Sequence, residues 1–214
     1  LPPGHPRRDR FSVMSAIVLV SPLAEKIPRI SGADYAGVDA GALRCMEAGI
    51  EMVFALGDFD TAGGALTQIE QQVECHILPC RKDETDMESA LKEAYRRGYT
   101  TIILYGVLQG RFDHTMANLY LLLHRDPSLI LMDAHNRVRV LLPGSYTVAK
   151  QYAYLSFLAL EESSISESGV AYPLDHAHID VTDIFTVSNE IVEEEAQITV
   201  HEGRVLMIEA DDRP

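Results

Sequence analysis

A chain of 214 residues that is 47% hydrophobic can bury a full core, so it reads as one large folded unit or two small ones rather than a disordered segment. Its 32 acidic against 18 basic residues give a formal net charge of -14, which repels phosphate backbones and anionic lipid and argues against nucleic-acid and membrane partners. An anionic substrate must then be met by a local cluster of arginine and lysine or by metal ions.

No apolar run reaches the roughly 18 to 20 residues that a membrane span requires. The opening LPPGHPRRDRFSV lacks the apolar stretch of a secretory signal; residues 1–13 read as a leader or vector-derived extension, with Met14 as the native start. Cys45, Cys75 and Cys80 form no CxxC pair, which fits reduced thiols and a cytoplasmic setting. The CHILPC spacing supplies no fourth ligand for zinc.

Taken in chain order, AIVLV, DYAGV, EMVFAL, VECHIL, TTIILY, LILM and VRVLL are strand-like, and between several of them lie GALRCMEAG, TDMESALKEAYRRG and HTMANLYLLLH with helical spacing. In the second helix Thr85 and Glu88 have the spacing of a capping box, Arg96 and Arg97 fall in the last turn, and Gly98 follows as the stop. The alternation predicts an α/β unit over residues 14–142 with a largely parallel sheet. After Pro143 the texture changes to short strand-like pieces (YTVA, YAYLSFLAL, GVAYP, AHIDV, AQITV, RVLMIEA) without a helix, which predicts a small all-β sandwich over residues 143–214.

Ligands of open α/β sheets bind at the carboxyl ends of strands, and these positions are acidic here: Asp39, Asp58 and Asp60, Asp83 and Asp86, Asp113, and Asp133. Any one of them could be a helix cap or turn residue. Asp58 and Asp60, however, stand at i and i+2 and share a side if the chain stays extended, which suits a hard cation such as Mg²⁺. In YGVLQGRFDHTMAN, Gly106 and Gly110 permit close backbone approach, and Arg111 offers a planar fork to phosphate oxygens just before a helix N-terminus. Lys82 beside Asp83 repeats the pairing of cation and carboxylate. His114 reads equally as a substrate contact or a first-turn residue. Neither a P-loop nor a GxGxxG motif is present.

Together GVDAGALRCMEAGI, LGDFDT, KDETDMESAL and GVLQGRFDHTMAN, followed by LMDAHN, LLPGSY, GVAYPL and SNE, resemble thiamine pyrophosphokinases in order and spacing, over roughly residues 16–210. The resemblance implies an α/β domain followed by a β-sandwich for thiamine binding and dimerisation. It implies a homodimer that uses Mg²⁺ to transfer a pyrophosphoryl group from ATP to thiamine. Asp58 and Asp60 of GDFD, Thr85 and Asp86 of DETD, and Arg111 and Asp113 of GRFDH match the family positions. On this reading Asp58, Asp60, Asp86 and Asp113 are the metal candidates; Asp39, Lys82, Thr85, Arg111 and His114 lie on the ATP side; Ser188 and Asn189 lie on the thiamine side. Asp86 is the first choice for the group that orients or deprotonates the hydroxyl. Two departures stand out: Gln109-Gly110 where paired glycines are common, and DVTDIFTV before SNE in place of a Ser- and Gly-rich approach.

Other features read more plainly. His176, His178 and Asp180 only partly match a metallo-hydrolase motif, and Glu193, Glu194 and Glu195 read as a solvated turn. Another Mg²⁺-dependent phosphotransferase or phosphohydrolase, or a non-catalytic thiamine or nucleotide sensor, is the rival reading.

Overall fold

The computed structural model describes residues 15–59, 64–79 and 83–212. Six strands run parallel: β1 (Ala16–Val20), β2 (Ala33–Val38), β3 (Phe54–Gly57), β4 (Cys75–Ile77), β5 (Thr101–Tyr105) and β6 (Ile130–Met132). Four helices connect them: α1 (Gly41–Glu47), α2 (Leu66–Glu70), α3 (Asp86–Arg96) and α4 (Phe112–His124). Apolar clusters flank the sheet on both sides. One holds Ile17, Leu19 and Leu104 with Leu91 of α3 and Leu122 of α4; the other holds Val18, Val20 and Tyr105 with Cys45 of α1. Burial on both faces is why AIVLV and TIILY are continuous apolar runs rather than alternating ones. The expected cap of α3 is present: Thr85 Oγ1 accepts from the Glu88 amide at 3.1 Å, and Gly98 takes φ +87 just past the helix.

The sheet does not stop at β6. A turn at Asp133 leads into β7 (Asn136–Leu141), which pairs antiparallel with β6. After β7 come β8 (Gly144–Ala149), β9 (Tyr154–Ala159), β10 (Ser163–Ser168), β11 (Leu174–Ile179), β12 (Glu195–Glu202) and β13 (Val205–Ala210). Of these, β13 and β9 join the large sheet, whose order is β4-β3-β2-β1-β5-β6-β7-β13-β9. The other four form a second sheet in the order β11-β10-β12-β8.

Phe157, Leu155 and Met207 of the large sheet interdigitate with Ile165, Ile198 and Val200 of the small one to make a sandwich core. An α/β part followed by an antiparallel sandwich is therefore the architecture, as the sequence pattern predicts. The texture change at Pro143 marks a change of layer, while the long sheet continues across it. Two elements were not read from the sequence: β10, whose SSISES buries Ser163, Ile165 and Glu167 and leaves the alternate serines more exposed, and the single-turn α2. GVAYP forms no strand; Val170 makes an isolated bridge to Ile191.

Phe157 is fully buried where the two sheets meet. Phe157→Ala is expected to cost about 3 to 5 kcal/mol, measured by urea or thermal unfolding, and to lower the transition of the whole chain because β9 belongs to the long sheet.

Candidate functional site

Strand order places a topological switch at β1 and β5: β2, β3 and β4 build outward on one side of β1, while β5 and β6 build on the other. The two loops that leave β1 and β5 are locked to each other. Ser21 Oγ donates to the Gly106 carbonyl at 2.6 Å and accepts from the Leu23 amide at 3.2 Å, and the Gln109 side-chain amide donates to the Leu23 carbonyl. Gly106, at φ +79, lies so close to the first loop that a Cβ would stand 2.7 Å from the Ala24 backbone.

A second close approach lies one strand further on. A Cβ on Gly57 would stand 2.8 Å from Asp39 Cα, and the Asp39 amide donates to the Leu56 carbonyl at 2.8 Å. Asp39 takes φ 50 and Phe59 takes φ 55, left-handed values that an L-residue holds only where its surroundings enforce them. At Phe59 the ring is buried against Ala42, Ala55 and Ile69, which anchors the chain on which Asp58 is carried.

Between these loops opens a cleft of about 840 Å³, lined by Ser21, Leu23, Asp39, Leu43, Thr85, Asp86, Gly106, Gln109, Arg111, His114 and Asn118 among others. The N-termini of α3 and α4 both reach it, bringing the positive ends of two helix dipoles to one place. Apolar side chains such as Val38, Leu43 and Val107 give the remainder of the wall a surface suited to a flat ring.

The candidate residues are distributed as follows. Asp39, Thr85, Asp86, Arg111 and His114 line the cleft. Thr85 also caps α3. Half-buried Asp58 stands at the end of β3, beside the strand that carries Asp39 and outside the cleft lining. Arg111 reaches Asp113 at 2.6 Å, and both are exposed; this contact lowers the Asp113 carboxyl below its ordinary range, with the His114 amide adding to it. Asp113 itself is not part of the lining, so it tethers Arg111 at the rim. Asp60 and Lys82, and with Lys82 the Cys80 end of CHILPC, lie outside the described residues.

Asp83 is exposed. Asp133 is buried, and its Oδ1 accepts from the His135 and Asn136 amides and from Asn136 Nδ2, so it serves a turn. Sequence reading did not single out Ser21 or Leu43. Ser21 was within reach of the strand-end rule, since it directly follows AIVLV.

Ser188 and Asn189 lie apart from this cleft, in the segment between β11 and β12 that is stitched to β9. Ser188 is exposed at φ 64, and its amide donates to Ser156 Oγ at 2.9 Å. Asn189 is buried: its Oδ1 accepts from the Tyr172 and Glu190 amides, and its Nδ2 donates to the Tyr172 carbonyl and to Glu167. On the outer face of the small sheet, the His176 ring stacks on His201 at 4.0 Å, and Asp180 accepts from the Thr182 amide and hydroxyl.

An open sheet with a cleft at its switch point, faced by two helix N-termini and by carboxylates, has the architecture of a ligand-binding α/β protein. The sequence matches the thiamin pyrophosphokinase catalytic domain over residues 32–131 and the thiamin pyrophosphokinase vitamin B1 binding domain over residues 145–205. It is 30% identical over 190 residues to the thiamine pyrophosphokinase of Bacillus subtilis (strain 168), covering 83% of this chain and 87% of that protein. The crystal structure of a thiamin pyrophosphokinase family protein from Enterococcus faecalis superposes with TM-score 0.80 at 28% identity, over 93% of this chain and 100% of the other. The enzyme from Geobacillus thermodenitrificans superposes with TM-score 0.78 at 31% identity, over 92% and 98%. The chain belongs to the thiamine pyrophosphokinase family.

The lock between the two loops can be tested on glycine. Gly98 and Gly106 share a left-handed φ, but nothing lies within 4 Å of a Cβ at Gly98. Gly98→Ala is expected to cost about 1 kcal/mol. Gly106→Ala should cost clearly more in a thermal melt and raise the nucleotide KM, because the Ala24 backbone must move.

Proposed function

We propose that this chain transfers a pyrophosphoryl group from ATP, bound with Mg²⁺, to the hydroxyl of thiamine, giving thiamine diphosphate and AMP. The observation that carries this reading is the cleft itself. In a chain of formal net charge -14, a polyphosphate is acceptable only where donors converge, and this cleft gathers Arg111, two helix N-termini and glycine-lined backbone.

The cation reading rests on the chemistry of the donors: Asp86 lines the cleft, Asp58 ends β3 with Asp60 beside it in sequence, and carboxylate oxygens are what Mg²⁺ takes, although among the described residues no three such side chains cluster as a metal site by themselves. When bound there, Mg²⁺ would neutralise phosphate charge and help to fix the triphosphate. Arg111 meets the phosphate oxygens, and its exchange of Asp113 for phosphate costs little because both side chains are exposed. Thr85 and the first-turn amides of α3 hold the chain against the same group.

The thiamine hydroxyl oxygen forms a bond to the β-phosphorus as the bond from that phosphorus to the α,β-bridging oxygen breaks, and AMP leaves with the bridging oxygen. Asp86 orients the hydroxyl and accepts its proton. Alignment supplies most of the acceleration, since such transfers ask little covalent work of the protein.

Thiamine meets Ser188 and the Tyr172 ring, with Asn189 as the residue that positions them. These groups are apart from the cleft within one chain. Tyr172, Ile184 and Phe185 are 74%, 76% and 60% exposed, apolar side chains suited to being covered by a second copy. Both facts support a homodimer that completes each thiamine site with the partner's cleft, in a cytoplasmic setting.

Incubation with ATP, Mg²⁺ and thiamine, followed by mass spectrometry, is expected to give AMP and thiamine diphosphate. ADP with thiamine monophosphate, or free phosphate alone, would overturn the reading in favour of another phosphotransferase or hydrolase. Asp58→Asn should lower turnover by about 100-fold or more with little change in melting temperature. A folded variant with near-normal turnover would remove Asp58 from the metal site.

A further inference from the structure

Along β10 the side chains of Ser163, Ile165 and Glu167 point inward. The row belongs to the sandwich core, and the pattern calls for an apolar residue at its end. Glu167 stands there at 3% exposure, opposite Leu174 on β11 and Ile198 on β12. The register of β10 against β11 shifts between Ile165 and Glu167, so an irregularity in the pairing adjoins this side chain. A carboxyl in such a place is costly unless it serves a purpose.

Among the described residues, the hydrogen bond that Glu167 makes is with Asn189: Nδ2 donates to Glu167 Oε2 at 3.3 Å. Asn189 in turn grips the backbone of Tyr172 from both sides, accepting from its amide at 3.1 Å and donating to its carbonyl at 2.9 Å. This grip works in one orientation of the side-chain amide. With Oδ1 and Nδ2 exchanged, the amino group would face the Tyr172 and Glu190 amides. An acceptor at Glu167 enforces the working orientation.

We propose that Glu167 is a positioning residue of the thiamine site, acting through Asn189 on the backbone that carries Tyr172 and Ser188. The proposal rests on the reading that thiamine binds beside Tyr172 and Ser188. It is specific as to mechanism: removal of the acceptor should loosen thiamine and leave the nucleotide nearly untouched, because neither Glu167 nor Asn189 nor Tyr172 lines the cleft.

The clamp also carries a signature in pH. Burial pushes the Glu167 carboxyl up to about 7, against a smaller downward pull from the Asn189 amide. No charged side chain among the described residues faces it. Leu174 and Ile198 stand opposite; Ser166 and Ser168 flank it on β10 and Gln197 and Thr199 flank Ile198 on β12; Leu155 and Phe157 of β9 belong to the same core; Asp175 and Glu190 on the adjoining segments are exposed. The neutral acid fits this site. The ionised carboxylate still accepts from the Asn189 amide, but that one long bond offsets little of the cost of burying its charge.

The sign follows directly. A carboxyl raised in the folded state contributes full stability below its ordinary value of 4.5, and that contribution is lost as pH rises to about 7.

The test is steady-state kinetics with thiamine and ATP varied separately, on the full chain and on Glu167→Leu, Glu167→Gln and Tyr172→Ala. Glu167→Leu is expected to raise the thiamine KM by about tenfold with kcat and the ATP KM nearly unchanged. Glu167→Gln, which keeps an acceptor oxygen at this place, should hold the thiamine KM near the wild-type value. In melts, the advantage of Glu167→Gln over wild type should grow between pH 4.5 and about 7.

Parallel melts and a Glu167→Leu enzyme with normal thiamine KM would overturn the proposal while Tyr172→Ala, if it raises that KM, keeps the site reading intact. An unchanged thiamine KM in Tyr172→Ala would instead overturn the site reading itself.

Discussion

Three hydrogen bonds to one carboxylate oxygen, Asp133 Oδ1, hold the turn at which the long sheet changes from parallel to antiparallel. The amide of Gly106 donates to the carbonyl of Met132 immediately before that turn, so the same corner borders the cleft. Everything beyond depends on it. The reversal sends β7 back beside β6, β7 accepts β13, β13 accepts β9, and these three strands become one wall of the sandwich. The two halves of the molecule thus share a hydrogen-bonded framework rather than a linker, which fixes their relation with the stiffness of a sheet.

A strongly acidic chain that handles a polyphosphate faces an electrostatic conflict, and the fold resolves it locally. The positive ends of the α3 and α4 dipoles, which carry no net charge, meet at the cleft with the lining arginines Arg44 and Arg111. The exposed Asp113 keeps the Arg111 guanidinium oriented without holding it tightly. The close approaches at Gly57 and Gly106 complete the arrangement, because they let loops from β1, β2, β3 and β5 lie against one another without side chains between them.

Much of this was legible in the sequence, for reasons that can be named. Continuous apolar runs identified the buried parallel strands, and Thr85, Glu88 and Gly98 marked both ends of α3, because those signals are local. The acidic strand ends pointed to the cleft, yet they did not distinguish Asp39 and Asp86, which line it, from Asp133, which serves a turn. That distinction depends on partners supplied by His135 and Asn136 in three dimensions. The membership of β9 and β13 in the long sheet was not legible, since strand pairing at such separation leaves no mark in spacing. Glu167 was hidden for the converse reason: in SSISES a glutamate at an inward position looks like any solvent-facing carboxylate.

The position of β13 between β7 and β9 has a consequence for biogenesis. Residues 205–210 are the last strand described, yet they occupy an interior lane of the long sheet. Until the ribosome has delivered them, β7 has no outer neighbour and β9 has no neighbour in that sheet at all. The parallel half, whose strands all precede residue 133, can begin to form during synthesis, while the sandwich must wait for a late insertion. Exposed β7 and β9 edges in that interval are where a nascent chain would be captured by chaperones or by other copies of itself.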